Sequence, residues 1–263
     1  MSVPFTPDLD AYFARIGYAG GRAPTLATLH GVTLHHATSI PFENLDVLLG
    51  RGVSLAPAAI FAKLVTSGRG GYCFEHNRLF AAVLENLGYR VRRLAARVRH
   101  RATRILPRTH MLLLVDTEDG TWVADVGFGG EGLMLPVPFG RGAVSSQFAW
   151  SYRVGAEGPG WVMQARRGNA WEDLYAFTLE PQEDADFEMA NHYVSTHPDS
   201  RFVQTLTVQL PTPTCRWTLR NRELVQDTGR RSETRRLGDD AEVRGVLANL
   251  FGLALPAGLR FPA

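Results

Sequence analysis

The spacing of apolar and polar residues divides the chain into a helical first third and a strand-rich remainder. In the first third, apolar residues recur every three or four positions between turn signals, which is the period of an amphipathic helix. The pattern is strongest from Phe80 to Leu87, and Gly88 closes it where a helix C-cap belongs. The predicted helices of this third are residues 8–17, 24–40, 55–68 and 73–88.

From Tyr89 onward the pattern changes to short strands with turn signals about every ten residues, as in an antiparallel sheet or barrel. The predicted strands are residues 90–98, 110–116, 121–128, 146–154, 160–166 and 171–179. Residues 180–202 are less regular, strands then resume, and residues 240–253 predict a final helix.

This order of elements predicts the α+β class in three parts. We expect an N-terminal helical bundle over residues 1–88, a central antiparallel β-barrel over 89–190, and an interdomain segment with an α/β lid over 191–263.

Composition indicates an ordinary soluble protein, with 45% hydrophobic and 21% charged residues. The formal net charge of +2 predicts no nucleic-acid partner. An arginine-rich run at residues 91–108 has two interpretations, a solvated strand face or contact with a phosphate-bearing ligand. We found no secretory signal pattern and no apolar window of about 20 residues, so we expect a cytoplasmic protein without a membrane partner.

Two cysteines, Cys73 and Cys215, are too few for a disulfide framework in a chain of 263 residues, so we expect free thiols. Cys73 follows Gly70 and Gly71 and opens a predicted helix. The free N–H groups and the dipole of a helix start favour the thiolate, which makes Cys73 a candidate nucleophile. The alternative is a small buried apolar residue.

His110 and Asp125 lie on two predicted strands joined by a turn at residues 117–120. If Asp116 pairs with Thr121 across this hairpin, His110 and Asp125 share one face as diagonal neighbours, roughly 7–8 Å apart at Cβ. A histidine held by a carboxylate can take the proton of a nearby cysteine, the arrangement used for acyl transfer. The alternative is a structural hydrogen bond inside the barrel.

Five motifs in order resemble the arylamine N-acetyltransferase family. They are PFENLDV (41–47), RGGYCFEHN (69–77), the apolar strand that begins Thr109-His110, DVGFGG (125–130) and NHYVSTHPDSRF (191–202). The resemblance implies a cysteine-protease-like Cys-His-Asp core and a ping-pong reaction. Cys73 would take the acetyl group of acetyl-CoA and pass it to an arylamine or arylhydrazine, with His110 activating the thiol and Asp125 orienting His110.

The resemblance also implies binding positions. It places Phe42, Val98 and Phe128 in the acceptor pocket, with core packing as the alternative. It pairs Arg69 with Glu43 in support of the loop before the nucleophile. For CoA, which family members bind in a cleft between barrel and lid, the positions we expect here are Arg108, Thr109, Gly127 and Gly129.

We expect no metal site. His35 and His36 are adjacent rather than at ligand spacing, Cys215 is far from a second ligand, and His76 is predicted to face solvent. The competing functions are a CoA-independent amide synthase of the same family, a transglutaminase-like amide hydrolase, and a catalytically silent CoA-binding protein. We expect a monomer or a weak homo-oligomer.

Overall fold

Helices occupy the first third of the chain, as their apolar spacing predicts. The computed structural model describes residues 5–140, 142–255 and 260–261, so the outermost parts of the first and third predicted domains lie outside the described residues. The helices are α1 (Leu9–Ile16), α2 (Leu26–Ser39), α3 (Leu45–Leu48), α4 (Pro57–Phe61) with a π-helical continuation (Ala62–Thr66), α5 (Cys73–Asn86), α6 (Asp184–Thr196), α7 (Arg201–Gln204) and α8 (Asp240–Phe251).

An antiparallel sheet of eight strands forms the middle of the molecule in the order β5-β4-β3-β2-β9-β8-β7-β6. Its edge strands β5 and β6 contact each other, so the sheet is a nearly closed barrel. The strands are β2 (Arg90–Val98), β3 (Arg108–Thr117), β4 (Gly120–Ala124), β5 (Val137–Pro138), β6 (Val144–Gln147), β7 (Trp150–Glu157), β8 (Gly160–Arg167) and β9 (Ala170–Pro181). The predicted α+β class and barrel are confirmed.

A second antiparallel sheet of five strands joins the helical first third to the C-terminal part of the chain, in the order β1-β10-β11-β12-β13. Its strands are β1 (Phe42–Glu43), β10 (Thr207–Pro211), β11 (Arg216–Arg220), β12 (Glu223–Asp227) and β13 (Ser232–Arg236). Helix α8 covers this sheet with Val243, Leu247 and Phe251. Because β1 pairs with β10, the segment between α2 and α3 is held against the C-terminal part of the chain.

Two sequence predictions are wrong in this part of the chain. Residues 146–154 do not form one strand, because the chain reverses at Phe148, whose φ of 59° lies in the left-handed region, and Gln147 pairs back to Trp150. The irregular stretch at 180–202 contains α6, whose buried face carries the polar Asn191 between Phe187 and Val194. Because Asn191 is polar, the buried face of α6 does not appear in the sequence as a continuous apolar stripe.

No helix in the described ranges is long and apolar enough to cross a membrane.

A chain of buried polar side chains links α1, α2 and α5. His76 was predicted to face solvent, and this is wrong, because it is 1% exposed. Its Nε2 lies 3.2 Å from the Pro41 carbonyl oxygen and its Nδ1 lies 2.9 Å from His36 Nε2. Tyr12 Oη lies 2.8 Å from His36 Nδ1.

The carbonyl of Pro41 can only accept, and burial keeps both imidazoles neutral, so together these two conditions set the direction of every hydrogen bond in this chain. His76 Nε2 donates to Pro41, His36 Nε2 donates to His76, and Tyr12 donates to His36. Burial lowers the pKa of His36 well below its usual value and lowers the pKa of His76 to about 4.

Replacing His76 with glutamine tests this neutral state. The unfolded chain takes up a proton on His76 near pH 6.5 and the folded chain only near pH 4, so the histidine's contribution to stability is complete above about pH 6.5. It is lost as the pH falls towards 4. We expect the difference in free energy of unfolding between wild type and His76→Gln, from urea denaturation, to shrink over that window. The exposed His192→Gln is the control, and a pH-independent His76→Gln difference would contradict the assignment.

Candidate active site

Cys73 is the first residue of α5 and is 4% exposed. A hydrogen bond of 3.0 Å from the Tyr72 N–H to Glu75 Oε2 stabilises the start of this helix. The Cys73 Sγ lies 3.6 Å from the Thr109 carbonyl oxygen, at the start of β3. The thiol therefore lies where the free N–H groups of the first helical turn meet the barrel.

His110 and Asp125 are in direct contact. The predicted register of Asp116 with Thr121 is confirmed, and since Thr117 also pairs with Gly120, the turn itself is only residues 118–119. Moving one pair of opposite residues from the loop into the strands does not change which side chains share a face of the hairpin. Asp125 follows the end of β4, and its Oδ2 lies 2.8 Å from His110 Nε2. This leaves Nδ1 as the ring nitrogen available to Cys73.

Asn77 joins the helix to this pair, and the sequence analysis did not identify it. Its Nδ2 donates to Asp125 Oδ1 at 2.9 Å and to the Met111 carbonyl at 2.6 Å, and its Oδ1 accepts the Val126 N–H at 3.1 Å. A signal was present in the sequence, because a residue four positions after Cys73 lies on the same helix face. Asn77 thereby sets the distance between α5 and the hairpin.

Asp125 is fully buried, and its environment supports the charged carboxylate. Burial alone raises the pKa of Asp125, but the His110 ring, the Asn77 amide and the Gly127 N–H bring it below its usual value. Burial alone lowers the pKa of His110. The Asp125 carboxylate and the Cys73 thiol outweigh this effect and raise the pKa of His110 to about 10. The site therefore favours an imidazolium between two acidic groups.

A network of buried charges lies under the loop that leads to Cys73. The pair of Arg69 with Glu43 implied by the family resemblance is present, with Nη2 and Oε1 2.6 Å apart. Lys63 Nζ lies 2.8 Å from both Asp46 and Glu75. Because Glu75 in turn accepts the N–H of Tyr72, the network reaches the residue before the nucleophile.

Two glycines permit close backbone contacts at the site. A Cβ on Gly70 would lie 2.0 Å from the Pro41 carbonyl oxygen. A Cβ on Gly127 would lie 2.8 Å from the Cys73 carbonyl oxygen and 2.7 Å from Asn77 Nδ2. Gly127 was predicted to contact CoA, which stays a prediction, and the structure shows that its lack of a side chain permits contact between the hairpin and α5.

One cavity of about 310 Å³ opens above the thiol. The predicted site residues that line it are Phe42, Cys73, Val98, Thr109, His110, Gly127 and Phe128. Three others lie elsewhere. Asp125 is behind His110, Gly129 is in contact with Gln209, and the exposed Arg108 lies 3.5 Å from Glu180.

Aromatic rings surround the imidazole on the barrel side. The ring centroids of Phe128 and Tyr175 lie 5.1 and 4.9 Å from that of His110, and 5.1 Å from each other. Tyr175 is on β9, far along the chain, and no motif pointed to it. These rings hold the imidazole plane and exclude water from one side of the site.

The C-terminal sheet positions the glycine-rich turn beside the cavity. The Gly130 N–H donates to Gln209 Oε1 at 2.8 Å. Arg216, which is 3% exposed, donates through Nη1 to the Gly130 carbonyl at 2.5 Å and through Nη2 to the Gly132 carbonyl at 2.9 Å. Strands β10 and β11 of the C-terminal sheet thus fix the conformation of the segment that follows Asp125.

Within the described residues, no group of three or more His, Cys, Asp or Glu side chains is placed to hold a metal ion.

Comparison with known proteins shows which family the sequence is similar to. A family model described as N-acetyltransferase matches residues 25–260. The arylamine N-acetyltransferase of Mycobacterium tuberculosis (strain ATCC 25618 / H37Rv) is 43% identical over 252 residues, covering 94% of this chain and 89% of that protein. The Escherichia coli (strain K12) arylamine N-acetyltransferase is 40% identical over 253 residues, covering 95% and 90%.

The solved structure of the M. tuberculosis enzyme superposes with a TM-score of 0.90 at 43% identity, covering 93% of each chain. This chain belongs to the arylamine N-acetyltransferase family. The Mycobacterium marinum arylamine N-acetyltransferase, solved in complex with CoA, has a TM-score of 0.88 at 38% identity, covering 93% of this chain and 92% of that one. The family resemblance in the sequence motifs is confirmed, and the chain is an acyltransferase of this family.

Replacing Gly127 with alanine tests the contact between hairpin and helix. Its methyl group would overlap the backbone of Cys73, so we expect the free energy of unfolding to fall by about 1–3 kcal/mol in urea denaturation. Gly245→Ala is the matched control, since Gly245 lies inside α8 with nothing within 4 Å of an added Cβ. That variant should gain about 0.5–1 kcal/mol. Equal effects of the two substitutions would contradict the steric argument.

Replacing Asp125 with asparagine tests the charged state of the site. Loss of the carboxylate removes the partner that stabilises the His110 imidazolium, so we expect iodoacetamide to alkylate Cys73 at least about tenfold more slowly at pH 7. Peptide mass mapping gives the rate, and circular dichroism confirms folding. Asp116→Asn, on the same hairpin but paired with Arg92 at 3.2 Å, should keep the wild-type rate. A wild-type rate in Asp125→Asn would rule out this dependence.

Proposed function

We propose that this chain transfers the acetyl group of acetyl-CoA to the nitrogen of an arylamine or arylhydrazine through an acetyl-Cys73 intermediate. The observation that carries the proposal is that one thiol and one histidine line a single cavity, with a buried carboxylate bound to the far side of the histidine ring. Family membership supports the same chemistry. In this proposal residues 1–88 supply the nucleophile, 89–190 the histidine and carboxylate, and 191–263 the lid.

In the first half-reaction, the Cys73 thiolate attacks the thioester carbonyl. A bond forms between the acetyl carbon and Cys73 Sγ, the bond to the CoA sulfur breaks, and the His110 imidazolium gives its proton to the departing thiolate. The N–H groups at the start of α5 are our candidates for stabilising the oxyanion. Asp125 keeps Nε2 protonated and directs Nδ1 towards the sulfur.

In the second half-reaction, the nitrogen of the acceptor attacks acetyl-Cys73. Neutral His110 takes the proton of the attacking amine, the carbon–sulfur bond to Cys73 breaks, and the acetylated amine leaves. The thiolate and the imidazolium are thereby restored. We assign the acceptor ring to the apolar wall formed by Phe42, Val98 and Phe128, which lines the cavity beside the thiol.

We propose that the pantetheine arm of the donor lies along Thr109 and Gly127, which line the same cavity as Cys73. The relative solved with CoA supports the choice of donor. Arg108 and Gly129 do not line this cavity, and they are further candidates for contact with the donor.

Acetylation of Cys73 in the absence of acceptor tests the proposal. Incubation with acetyl-CoA should add one acetyl group, located on Cys73 by intact mass and peptide mapping, and aniline or a hydrazine should remove it. Cys73→Ser is the control and should form no acetyl-thioester. If acetyl-CoA leaves Cys73 unlabelled while iodoacetamide alkylates it, the donor is wrong, and a CoA-independent amide synthase or an amide hydrolase replaces this function.

A further inference from the structure

Three buried polar side chains that the proposed reaction does not use lead to the wall of the cavity. Tyr12, His36 and His76 form the hydrogen-bonded chain between α1, α2 and α5, and their exposed fractions are 0%, 0% and 1%. All three are described by the structure, and none of them lines the cavity that contains Cys73. Any effect of this chain on the reaction must therefore pass through a residue that it holds.

The chain ends at the carbonyl group of Pro41, directly before Phe42. His76 Nε2 lies 3.2 Å from the Pro41 carbonyl oxygen, and the Gly71 N–H donates to the same oxygen at 3.3 Å. The backbone is crowded here, because a Cβ on Gly70 would lie 2.0 Å from that oxygen. The peptide group before Phe42 is thus held both by helix α5 and by the loop that leads to the nucleophile.

The ring of His76 also lies against the ring of Phe42. The two planes are 6° from parallel and the ring centroids lie 6.4 Å apart, which is an offset stacked arrangement. Phe202 packs against Phe42 as well, with ring centroids 5.8 Å apart. Because Phe42 lines the cavity, His76 supports the same side chain that the proposed function assigns to the acceptor ring.

A polar chain of this kind fixes geometry more than it adds stability. Replacing hydrogen-bonded buried groups by apolar groups of the same shape can be nearly neutral for stability. A fully satisfied buried network, in contrast, specifies one arrangement of the core. Here every nitrogen of the two imidazoles has a partner, so the position of His76, and with it that of Phe42, is defined.

We propose that His76 is a positioning residue that holds Phe42 in place as the wall for an aromatic acceptor, an inference that rests on the proposed function. Contacts between aromatic rings depend on their relative orientation, so a wall that is free to turn would stabilise a bound acceptor less. Hydrazine has no ring and does not need this wall. The chain from Tyr12 to His76 therefore controls the preference of the site for aromatic acceptors.

Transfer from acetyl-Cys73 to two acceptors tests this role. The acetylated protein is prepared with acetyl-CoA, and the rates of acetyl removal by aniline and by hydrazine are followed by intact mass in wild type and His76→Leu. We expect the ratio of the aniline rate to the hydrazine rate to fall roughly 3- to 10-fold in His76→Leu. The ratio cancels any effect of the substitution on Cys73, His110 or Asp125, because both acceptors depend on them.

Two further variants keep the test independent of damage to the fold, which circular dichroism monitors. His76→Gln carries an amide N–H as many bonds from Cα as the histidine Nε2, so donation to the Pro41 carbonyl should restore part of the ratio. Tyr12→Phe removes a hydroxyl group at the far end of the chain and should lower the same ratio to a smaller extent.

The matched control is His35→Leu, which should leave the ratio at the wild-type value. His35 is the neighbour of His36 on α2, and its Nδ1 lies 3.1 Å from the Ile16 carbonyl oxygen, outside the chain. The positioning role is rejected if His76→Leu and Tyr12→Phe leave the ratio unchanged. It is also rejected if the aniline and hydrazine rates fall by the same factor, because His76 would then only support the fold.

Binding of aniline to Cys73→Ala separates failure of this inference from failure of the proposed function. In that background, NMR titration should show an aniline affinity that drops roughly 3- to 10-fold on His76→Leu. If Cys73 is never acetylated but this difference in binding holds, the positioning role stands and the reaction is wrong. If Cys73 is acetylated and His76→Leu changes neither the ratio nor the binding of aniline, the reaction stands and the positioning role is wrong.

Discussion

The buried carboxylate of Asp125 is the constraint around which the site is arranged. A fully buried charge is stable only when hydrogen bonds and an opposite charge replace the lost water. Here the His110 ring, the Asn77 amide and the Gly127 N–H supply them. Each donor comes from a different element, so satisfying this one carboxylate also fixes the positions of the barrel strand β3, of helix α5 and of the turn after β4.

The remainder of the site extends this arrangement outward from the carboxylate. Below the thiol, the network of Lys63 and Glu75 fixes the start of α5. Arg216 and Gln209 of the five-stranded C-terminal sheet hold the glycine-rich turn that borders the cavity. The contacts of Arg216 and Gln209 join residues far apart in the chain, so the geometry at Cys73 is a property of the whole fold. An acyl-transfer site requires such rigidity, because small displacements of the reacting groups are costly.

Prediction from the sequence succeeded where local pattern and local structure agree. The apolar period located α5 and the hairpin of β3 and β4, and parity alone placed His110 and Asp125 on one face. It failed where burial depends on distant partners. His76 looks like a solvent-facing residue of an amphipathic helix, yet Pro41 and His36 satisfy its ring in the core. Asn191 concealed α6, because its amide is satisfied by the distant Val53 carbonyl and Tyr72 hydroxyl.

The sequence by itself determined the fold class, the family and the identity of the candidate thiol, histidine and carboxylate, because these follow from short motifs and from periods of 2 and 3.6 residues. Tertiary structure alone decided which other residues complete the site. Asn77, Tyr175 and Arg216 reach Asp125, His110 and the glycine-rich turn only after strands and helices from all parts of the chain pack together. Such long-range contacts leave no periodic signal in one sequence, since their spacing is set by topology and not by the geometry of a single element.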